Sequence, residues 1–285
     1  MPPLPSATPT WHNDTYEAIS PQRTELSAAG KRIVIIGAGS GIGRETAKAF
    51  ATAAADHLVL IGRHETSLKE TAALTKSASV EVHASSVGDL KSLRRIASLV
   101  GTWDVLVLSA AHCSTPSPMA SADPNDWWQS FEINTKGVFN AIQAFIPTAN
   151  VTNATFLALT SGSMALPVAM LPGMSTYMAS KLAQVKIIEF LAAEQPNILA
   201  ATVHPGMIET DIFTKTGAKA NLLPMDNVKL PAHFLVWMSS PEASFLKGRS
   251  VWANWDVEEM KAQAKTIQTG IQMTSGINGW PYPNM

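Results

Sequence analysis

Short runs of aliphatic and β-branched residues alternate with longer stretches of mixed polarity from Lys31 onward. Seven such runs occur, at 32–36, 57–61, 79–83, 104–108, 155–159, 198–203 and 249–253. Runs of this length are typical of buried strands, and the stretches between them are long enough for helices. Strands that alternate with helices form parallel sheets. The pattern therefore predicts a doubly wound α/β fold with a seven-stranded parallel sheet and helices on both faces.

We expect one domain flanked by two shorter segments. Residues 1–28 are rich in Pro, Thr, Ser and Asn without periodicity, which predicts an extended N-terminal arm. Residues 29–256 form the α/β domain, and residues 257–285 a C-terminal helix and tail packed on it. Irregular stretches at 112–122, 162–174 and 207–226 each follow a predicted strand. Open α/β sheets bind ligands beyond the carboxyl ends of their strands, so these three loops are expected to line a pocket.

Composition narrows the possible partners. Hydrophobic residues make up 46% of the 285 residues and charged residues 15%, as expected for a sheet covered on both faces. The net charge of −1 and the lack of like-charge blocks argue against nucleic acid. No apolar run approaches ~18 residues and the N-terminus lacks the pattern of a signal peptide, so we expect no membrane association and a cytoplasmic location. The single cysteine, Cys113, excludes an intramolecular disulfide and is interpreted as a buried spectator.

A glycine-rich turn follows the first predicted strand directly. It runs from Gly37 through Gly41 to Gly43 and leads into a helix-forming stretch. Such glycines let the backbone approach a pyrophosphate, and the N–H groups and dipole at the start of the helix attract the phosphates. The turn therefore predicts a dinucleotide site.

The end of the second predicted strand bears on the choice of dinucleotide. An NAD site usually places a carboxylate there to bind the ribose 2′-hydroxyl. This chain has Gly62 and Arg63 instead. The planar cation of Arg63 suits a 2′-phosphate, and Ser40 in the glycine turn offers a hydroxyl donor. The sequence favours NADP over NAD, with a merely solvated arginine as the alternative.

Tyr177 and Lys181 are four residues apart and share one face of a predicted helix. A free tyrosine titrates near ~10, and an adjacent cation favours its phenolate. We therefore expect Lys181 to lower the pKa of Tyr177, so that Tyr177 exchanges a proton with a substrate oxygen. Two side chains on an exposed helix face are the alternative that this spacing alone leaves open.

Taken in order along the chain, these motifs resemble the short-chain dehydrogenase/reductase family between residues 30 and 256. The similarity rests on the glycine turn, the run around Asn134, the Tyr177 and Lys181 pair, and the loop that begins at Pro205. The resemblance implies a Rossmann-like NAD(P)-binding catalytic domain at 29–256 and hydride transfer between nicotinamide and a ketone or secondary alcohol. The segments at 15–19 and 276–281 are similar to fungal members, which suggests a ketoreductase of secondary metabolism.

The resemblance also assigns roles to side chains. Tyr177 would donate the proton. Lys181 would lower the pKa of Tyr177 and bind the nicotinamide ribose, and Asn134 would anchor a water that resupplies the proton. The family's serine has two candidates: Ser161 fits the strand end and is chosen here, whereas Ser163 fits the usual spacing. The expected cofactor-binding set is Gly37, Ser40, Gly41, Ile42, Gly43, Arg63, Val87, Ala110, Tyr177, Lys181, Pro205, Gly206, Ile208 and Thr210. No metal is expected.

Three positions depart from the family pattern. Ile36 replaces a threonine before the first glycine, Leu108-Ser109-Ala110-Ala111 replaces Asn-Asn-Ala-Gly, and Ser86-Val87 replaces an aspartate near the adenine, leaving Val87 to touch the ring. Two other functions stay open, and the altered 108–111 stretch motivates the first of them. One is a non-redox dehydration, isomerisation or cyclisation with the dinucleotide as scaffold, and another is a dinucleotide-sensing interaction protein.

The substrate and the assembly are less constrained by the sequence. The three loops hold several flexible apolar side chains, which favours a bulky apolar small-molecule carbonyl or alcohol substrate unless these residues merely fill the core. They are Met119, Met164, Met170, Met174, Met207 and Met225. His112 and His204 follow strands and could touch substrate, although an ordinary structural hydrogen bond is the preferred interpretation. The resemblance implies a homodimer or homotetramer.

Overall fold

A seven-stranded, all-parallel sheet forms the centre of the molecule. The computed structural model of the chain describes residues 2–4, 6–75 and 78–277, without the side chain of Leu222. The strands lie in the order β3-β2-β1-β4-β5-β6-β7. They are β1 Arg32–Ile36, β2 His57–Gly62, β3 Ser79–Ala84, β4 Val105–Leu108, β5 Ala154–Leu159, β6 Ile198–His204 and β7 Ser250–Trp252. The predicted single-domain, doubly wound class is confirmed, and each predicted strand is present with its ends displaced by no more than one residue.

Helices connect the strands and cover both faces of the sheet. They are α1 Gly41–Thr52, α2 Glu65–Ala73, α3 Leu90–Val100, α4 Pro124–Phe131, α5 Gly137–Phe145, α6 Ser175–Glu194, α7 Asp211–Lys215, α8 Lys229–Met238, α9 Val257–Ala262 and α10 Ala264–Thr269. A π-helical segment, Glu132–Lys136, joins α4 to α5. Among the described residues, no helix combines the length and apolar character needed to cross a bilayer.

Two apolar layers enclose the sheet, which explains the nearly unbroken hydrophobic runs of its strands. In β1, Ile33 and Ile35 belong to the layer formed with α1 and α8. Val34 and Ile36 belong to the opposite layer, with α3, α5 and α6. All four side chains are buried. Complete burial of one such side chain contributes about 1.5–3 kcal/mol, so both layers stabilise the central strands strongly.

The strand order reverses direction between β1 and β4, and the glycine turn lies at this point. The carbonyl oxygen of Ile36 accepts hydrogen bonds from the N–H groups of Ser109 (2.8 Å) and Ala110 (2.9 Å). On the other side, the Gly37 N–H donates to the carbonyl oxygen of Ile61 (2.7 Å). Backbone hydrogen bonds therefore hold the turn to both neighbouring strands without the hydroxyl that Ile36 lacks.

The N-terminal segment packs along the domain near the carboxyl ends of the last strands. His12 and Asn254 exchange two hydrogen bonds of 2.9 Å, one of them from the Asn254 amide side chain. Asn13 donates to Asp226 Oδ1 (2.6 Å) and accepts from the Asn227 N–H (2.8 Å). The domain limits at 28 and 256 stay predictions. Part of the 276–281 segment, from residue 278 onward, lies outside the described residues together with the rest of the predicted tail.

Glu242 links three separate parts of the fold. Its carboxylate accepts hydrogen bonds from Arg23 of the N-terminal segment (2.7 Å), Trp237 of α8 (3.0 Å) and Lys261 of α9 (3.1 Å). Burial opposes ionisation of this carboxyl, but the three hydrogen bonds outweigh it and lower the pKa of Glu242. Because the folded-state pKa is depressed, the stabilisation is present above the ordinary value of 4.5 and is lost as the pH falls through the folded-state value.

We predict that Glu242→Gln lowers the free energy of unfolding by about 1–2 kcal/mol at pH 7, because charge-assisted hydrogen bonds are lost. Urea unfolding at a series of pH values measures this difference, which should narrow as the pH is lowered below 4.5. Glu258→Gln is the matched control, since Glu258 pairs with the same Lys261 but is 58% exposed. Equal losses in the two variants would contradict the role assigned to Glu242.

Candidate functional site

The loops that follow β4, β5 and β6 meet the glycine turn at the carboxyl edge of the sheet. The Ser117 N–H donates to the carbonyl oxygen of Gly173 (3.1 Å), which joins the loops after β4 and β5. The methyl group of Thr210, in the loop after β6, would lie 3.4 Å from a Cβ atom placed on Gly41. The irregular stretches named from the sequence therefore come together on one side of the molecule.

The glycine turn leaves no room for side chains at two of its positions. A Cβ atom on Gly37 would lie 2.5 Å from the backbone nitrogen of Ala110, and one on Gly43 would collide with the carbonyl oxygen of Gly37. Gly37 and Gly41 also adopt positive φ angles of 97° and 50°, which favour glycine. The N-terminus of α1 thus opens onto the carboxyl edge beside a compact turn, and this arrangement fits a pyrophosphate.

Other residues of the expected cofactor set surround this turn. Ser40 is exposed and its side chain makes no capping hydrogen bond to α1, whose first turn includes the partly buried Ile42. Arg63 is exposed just beyond β2 and forms no ion pair or hydrogen bond with the described part of the chain. Val87 is only 5% exposed. It packs against Gly137, where an added Cβ atom would lie 2.7 Å from Val87 Cγ1. Contact between Val87 and an adenine ring stays a prediction.

The loop that begins at Pro205 closes on itself at Asp226. The Met207 N–H donates to Asp226 Oδ2 (2.7 Å), and the Asp226 N–H donates back to the Met207 carbonyl oxygen (2.9 Å). Gly206 has a φ of 86°, and a Cβ there would lie 2.5 Å from Asp226 Oδ2. Within this loop Ile208 is buried, and the hydroxyl of Thr210 caps α7 by accepting from the Phe213 N–H (3.3 Å).

Asn134 lies in the π-helical segment and connects two other elements through its side chain. Its Oδ1 accepts from the His112 N–H (2.8 Å), and its Nδ2 donates to the His112 carbonyl oxygen (2.7 Å) and to Ser180 Oγ (3.0 Å). The Ser180 hydroxyl in turn donates to the carbonyl oxygen of Tyr177 (2.9 Å). Single-turn π segments occur often at functional sites. Here the segment links the loop after β4 to the helix that carries Tyr177.

Tyr177 and Lys181 lie on α6, as expected, but their electrostatics differ from the expectation. The Lys181 Nζ atom is 5.9 Å from the centroid of the Tyr177 ring. Burial raises the pKa of Tyr177, and the nearby Cys113 adds to this rise. The expectation that Lys181 lowers the pKa of Tyr177 is therefore wrong for this structure. The cost of desolvating the phenolate outweighs the attraction of an ammonium group that lies away from the ring and is hydrogen-bonded to other residues.

Lys181 is almost completely enclosed, at 2% exposure. Its Nζ atom donates to the carbonyl oxygen of Leu159 at the end of β5 (2.7 Å) and to Gln184 Oε1 (3.0 Å). Burial lowers the pKa of Lys181 to about 7. Sequence reasoning missed Gln184, although a polar residue three positions after Lys181 shares its face of the helix.

The two serine candidates occupy adjoining positions beyond β5. Ser161 is buried and immediately precedes the short 3₁₀ turn Gly162–Ala165, whereas Ser163 lies within that turn and is partly buried. Neither hydroxyl forms a hydrogen bond with any residue that the structure describes. Both therefore remain candidates to bind a substrate oxygen.

The two histidines and the cysteine have few polar partners. His204 packs edge-on against Trp252, with 4.5 Å between ring centroids, and burial lowers its pKa to about 3. The Nε2 atom of His112 is 3.6 Å from Asp126 Oδ1, beyond hydrogen-bond distance. No hydrogen bond to His112 Nε2 or His204 Nδ1 forms within the described chain, although the Asp126 carboxylate is close enough to pair with a protonated His112. Cys113 is buried, and burial raises its pKa to about 11.

Known proteins resemble this chain in both sequence and architecture. A family model described as short chain dehydrogenase matches residues 31–221. The short chain dehydrogenases mpl6 of Monascus purpureus and citE of Monascus ruber are each 33% identical to this chain, over 94% of it and 97% of their own lengths. The short chain dehydrogenase/reductase AacuD of Aspergillus aculeatus is 29% identical over 92% of both chains.

Solved structures agree in fold at lower identity. A putative short chain dehydrogenase from Pseudomonas syringae superposes with a TM-score of 0.73, at 23% identity, over 81% of this chain and 97% of that one. A short-chain type dehydrogenase/reductase from Mycobacterium ulcerans gives 0.71 at 20% identity, over 79% and 89%. These structures show the same fold. The family-model match over residues 31–221 and the relatives that are 33% identical establish that the chain belongs to the short-chain dehydrogenase/reductase family of oxidoreductases, which bind a nicotinamide dinucleotide.

Proposed function

We propose that the chain is an NADP(H)-dependent reductase or dehydrogenase that transfers hydride between nicotinamide and a ketone or secondary alcohol of a bulky apolar small molecule. The observation that carries the proposal is the pairing of Tyr177 with the enclosed Lys181 on α6, next to the end of β5. A ketoreductase of fungal secondary metabolism is the specific role we propose. The similar proteins from Monascus and Aspergillus support a fungal context.

In the reductive direction the bound dinucleotide would supply hydride to the carbonyl carbon. Tyr177 would supply the proton to the carbonyl oxygen. Its raised pKa is compatible with this task, because the phenol keeps its proton at neutral pH until negative charge develops on the substrate oxygen. The free hydroxyl of Ser161, or that of Ser163 in the alternative, would donate to the same oxygen and stabilise that charge.

Proton resupply would use the elements that Asn134 joins. Asn134 and Ser180 hold the backbone of His112 and that of Tyr177 in one hydrogen-bonded chain. Lys181 lies one helical turn further along α6, and Asn134 would anchor a water that leads to it. Lys181 would also donate to the hydroxyls of the nicotinamide ribose, whereas Ile208 and Thr210 would contact the nicotinamide.

The choice of NADP rests on charge at the end of β2. Arg63 is exposed and makes no ion pair with any described residue, and Gly62 before it carries no carboxylate that would repel a phosphate. Ser40, also without a capping bond, is the proposed hydroxyl donor to the same group. These features support a 2′-phosphate, for which the guanidinium of Arg63 provides charge and paired donors.

The substrate and assembly proposals rest on exposed apolar side chains. Met119 and Met170, in the loops after β4 and β5, are 72% and 63% exposed, which supports an apolar substrate. On α4–α6, Trp128, Phe139 and Phe190 are each more than half exposed, which supports the homodimer or homotetramer that family resemblance suggests. A cytoplasmic location is proposed because the lone thiol suits a reducing compartment.

We predict that Tyr177→Phe lowers kcat by at least ~100-fold in NADPH-dependent reduction of a panel of ketones, because the proton donor is lost. Absorbance of the reduced nicotinamide measures the rate, and circular dichroism checks the fold. Tyr16→Phe is the matched control, since Tyr16 bonds Trp255 and Val257 away from the candidate site and should retain activity. Unchanged turnover in Tyr177→Phe would reject the proposed chemistry.

We predict that Arg63→Ala raises the Kd for NADPH by about 10- to 100-fold, because one or two charge-assisted hydrogen bonds are lost. The Kd for NADH should stay nearly constant, and fluorescence titration measures both. Arg95→Ala, at another exposed arginine on α3, serves as the control. If the parent protein binds NADH as tightly as NADPH, the assignment of a 2′-phosphate to Arg63 is wrong.

A further inference from the structure

Two polar side chains are buried side by side on α6, where the helix packs against the sheet. Lys181 is 2% exposed and Gln184 is 1% exposed. Lys181 Nζ donates to Gln184 Oε1 (3.0 Å), and both Lys181 Nζ (2.7 Å) and Gln184 Nε2 (3.0 Å) donate to the carbonyl oxygen of Leu159. The three groups therefore form a closed triangle of hydrogen bonds.

This triangle restricts the ammonium group more than a single hydrogen bond would. An ammonium has three donors, and two of them are directed at fixed oxygen atoms. Gln184 is itself held, because its amide nitrogen is bonded to the main chain of β5 rather than to a mobile side chain. A buried primary amide is costly unless it is hydrogen-bonded, so an apolar residue of similar size would fill the same space more simply.

We propose that Gln184 is a positioning residue for Lys181. Its amide oxygen, together with the Leu159 carbonyl oxygen, holds the ammonium group beside Tyr177 and favours the protonated form of the lysine. The inference rests on the proposed function, in which Lys181 serves the proton transfer of Tyr177. It goes further by assigning the control of that lysine to a residue outside the expected catalytic set.

The charge on Lys181 depends on its hydrogen bonds to neutral oxygen atoms. Desolvation dominates the electrostatics of this lysine, and no carboxylate of the described chain contributes to them. Among the described residues, the titratable group placed beside it is Tyr177, on its own helix. Cys113, from the loop after β4, acts on Tyr177. Hydrogen bonds to the charged form favour that form, so the oxygens of Gln184 and Leu159 oppose the effect of burial.

The test is an NMR titration of protein labelled with ¹³C at the lysine side-chain carbon next to Nζ. Lys181→Met identifies the Lys181 signal, and the parent protein is compared with Gln184→Leu and Gln184→Glu. We expect the midpoint of Lys181 to fall by about one pH unit in Gln184→Leu, where an acceptor is lost, and to rise by at least as much in Gln184→Glu, where a carboxylate is gained. Lys31 is the internal control, because burial lowers its pKa as well but it lies before β1, at the opposite end of the strands.

The two substitutions must move the Lys181 midpoint in opposite directions while Lys31 stays constant. Midpoints within about 0.3 units of the parent value in both variants would overturn the proposal and leave Gln184 as a structural amide. If Gln184→Leu does not fold, Gln184→Met and Gln184→Glu supply the same comparison. The titration needs neither cofactor nor substrate, so its outcome is independent of the Tyr177→Phe assay, whose failure would reject the proposed reaction instead.

Discussion

The enclosure of the Lys181 ammonium group among neutral oxygen atoms is the constraint on which the candidate site depends. Burying a charged group in such surroundings costs free energy, and this cost lowers the pKa of Lys181 to about 7. Desolvation also raises the pKa of Tyr177, which is partly buried, so the pair does not consist of a phenolate beside a fixed cation. It consists of a protonated phenol beside a lysine whose charge is sensitive to its hydrogen bonds. In this state the phenol carries the proton that reduction of a carbonyl requires.

The frame around that pair is held mainly by backbone groups. Carbonyl oxygens of Ile36 and Ile61 anchor the glycine turn, and the His112 backbone anchors Asn134. The departures from the family pattern at Ile36 and at the stretch after β4 therefore leave the architecture of the edge in place. The N-terminal segment is hydrogen-bonded to Asp226, and Asp226 also closes the loop that carries Ile208 and Thr210. The arm and this loop are thus mechanically connected.

The strands and the glycine turn were predictable because their signals are local. A short β-branched run has few alternatives to a buried strand. Glycine is required where a Cβ atom would collide with the backbone, as at Gly43. The direction of the Tyr177 pKa was not predictable, because sequence spacing places a cation nearby but does not report burial. Gln184 was missed for a related reason: a glutamine on a helix is usually solvated, and only the packed fold encloses it. The docking of His12 on Asn254 joins residues from opposite ends of the chain, which no local pattern encodes.

A crystal structure with bound NADP⁺ tests most directly the claim that Tyr177 and Lys181 form the reaction centre of a dinucleotide site. We expect the pyrophosphate at the N-terminus of α1, the nicotinamide ribose hydroxyls within about 3 Å of Lys181 Nζ, and the Tyr177 hydroxyl facing the nicotinamide. The same structure would show whether Ser161 or Ser163 turns its hydroxyl toward the space above the nicotinamide. A dinucleotide bound away from the glycine turn, or with its nicotinamide remote from Tyr177 and Lys181, would contradict the account.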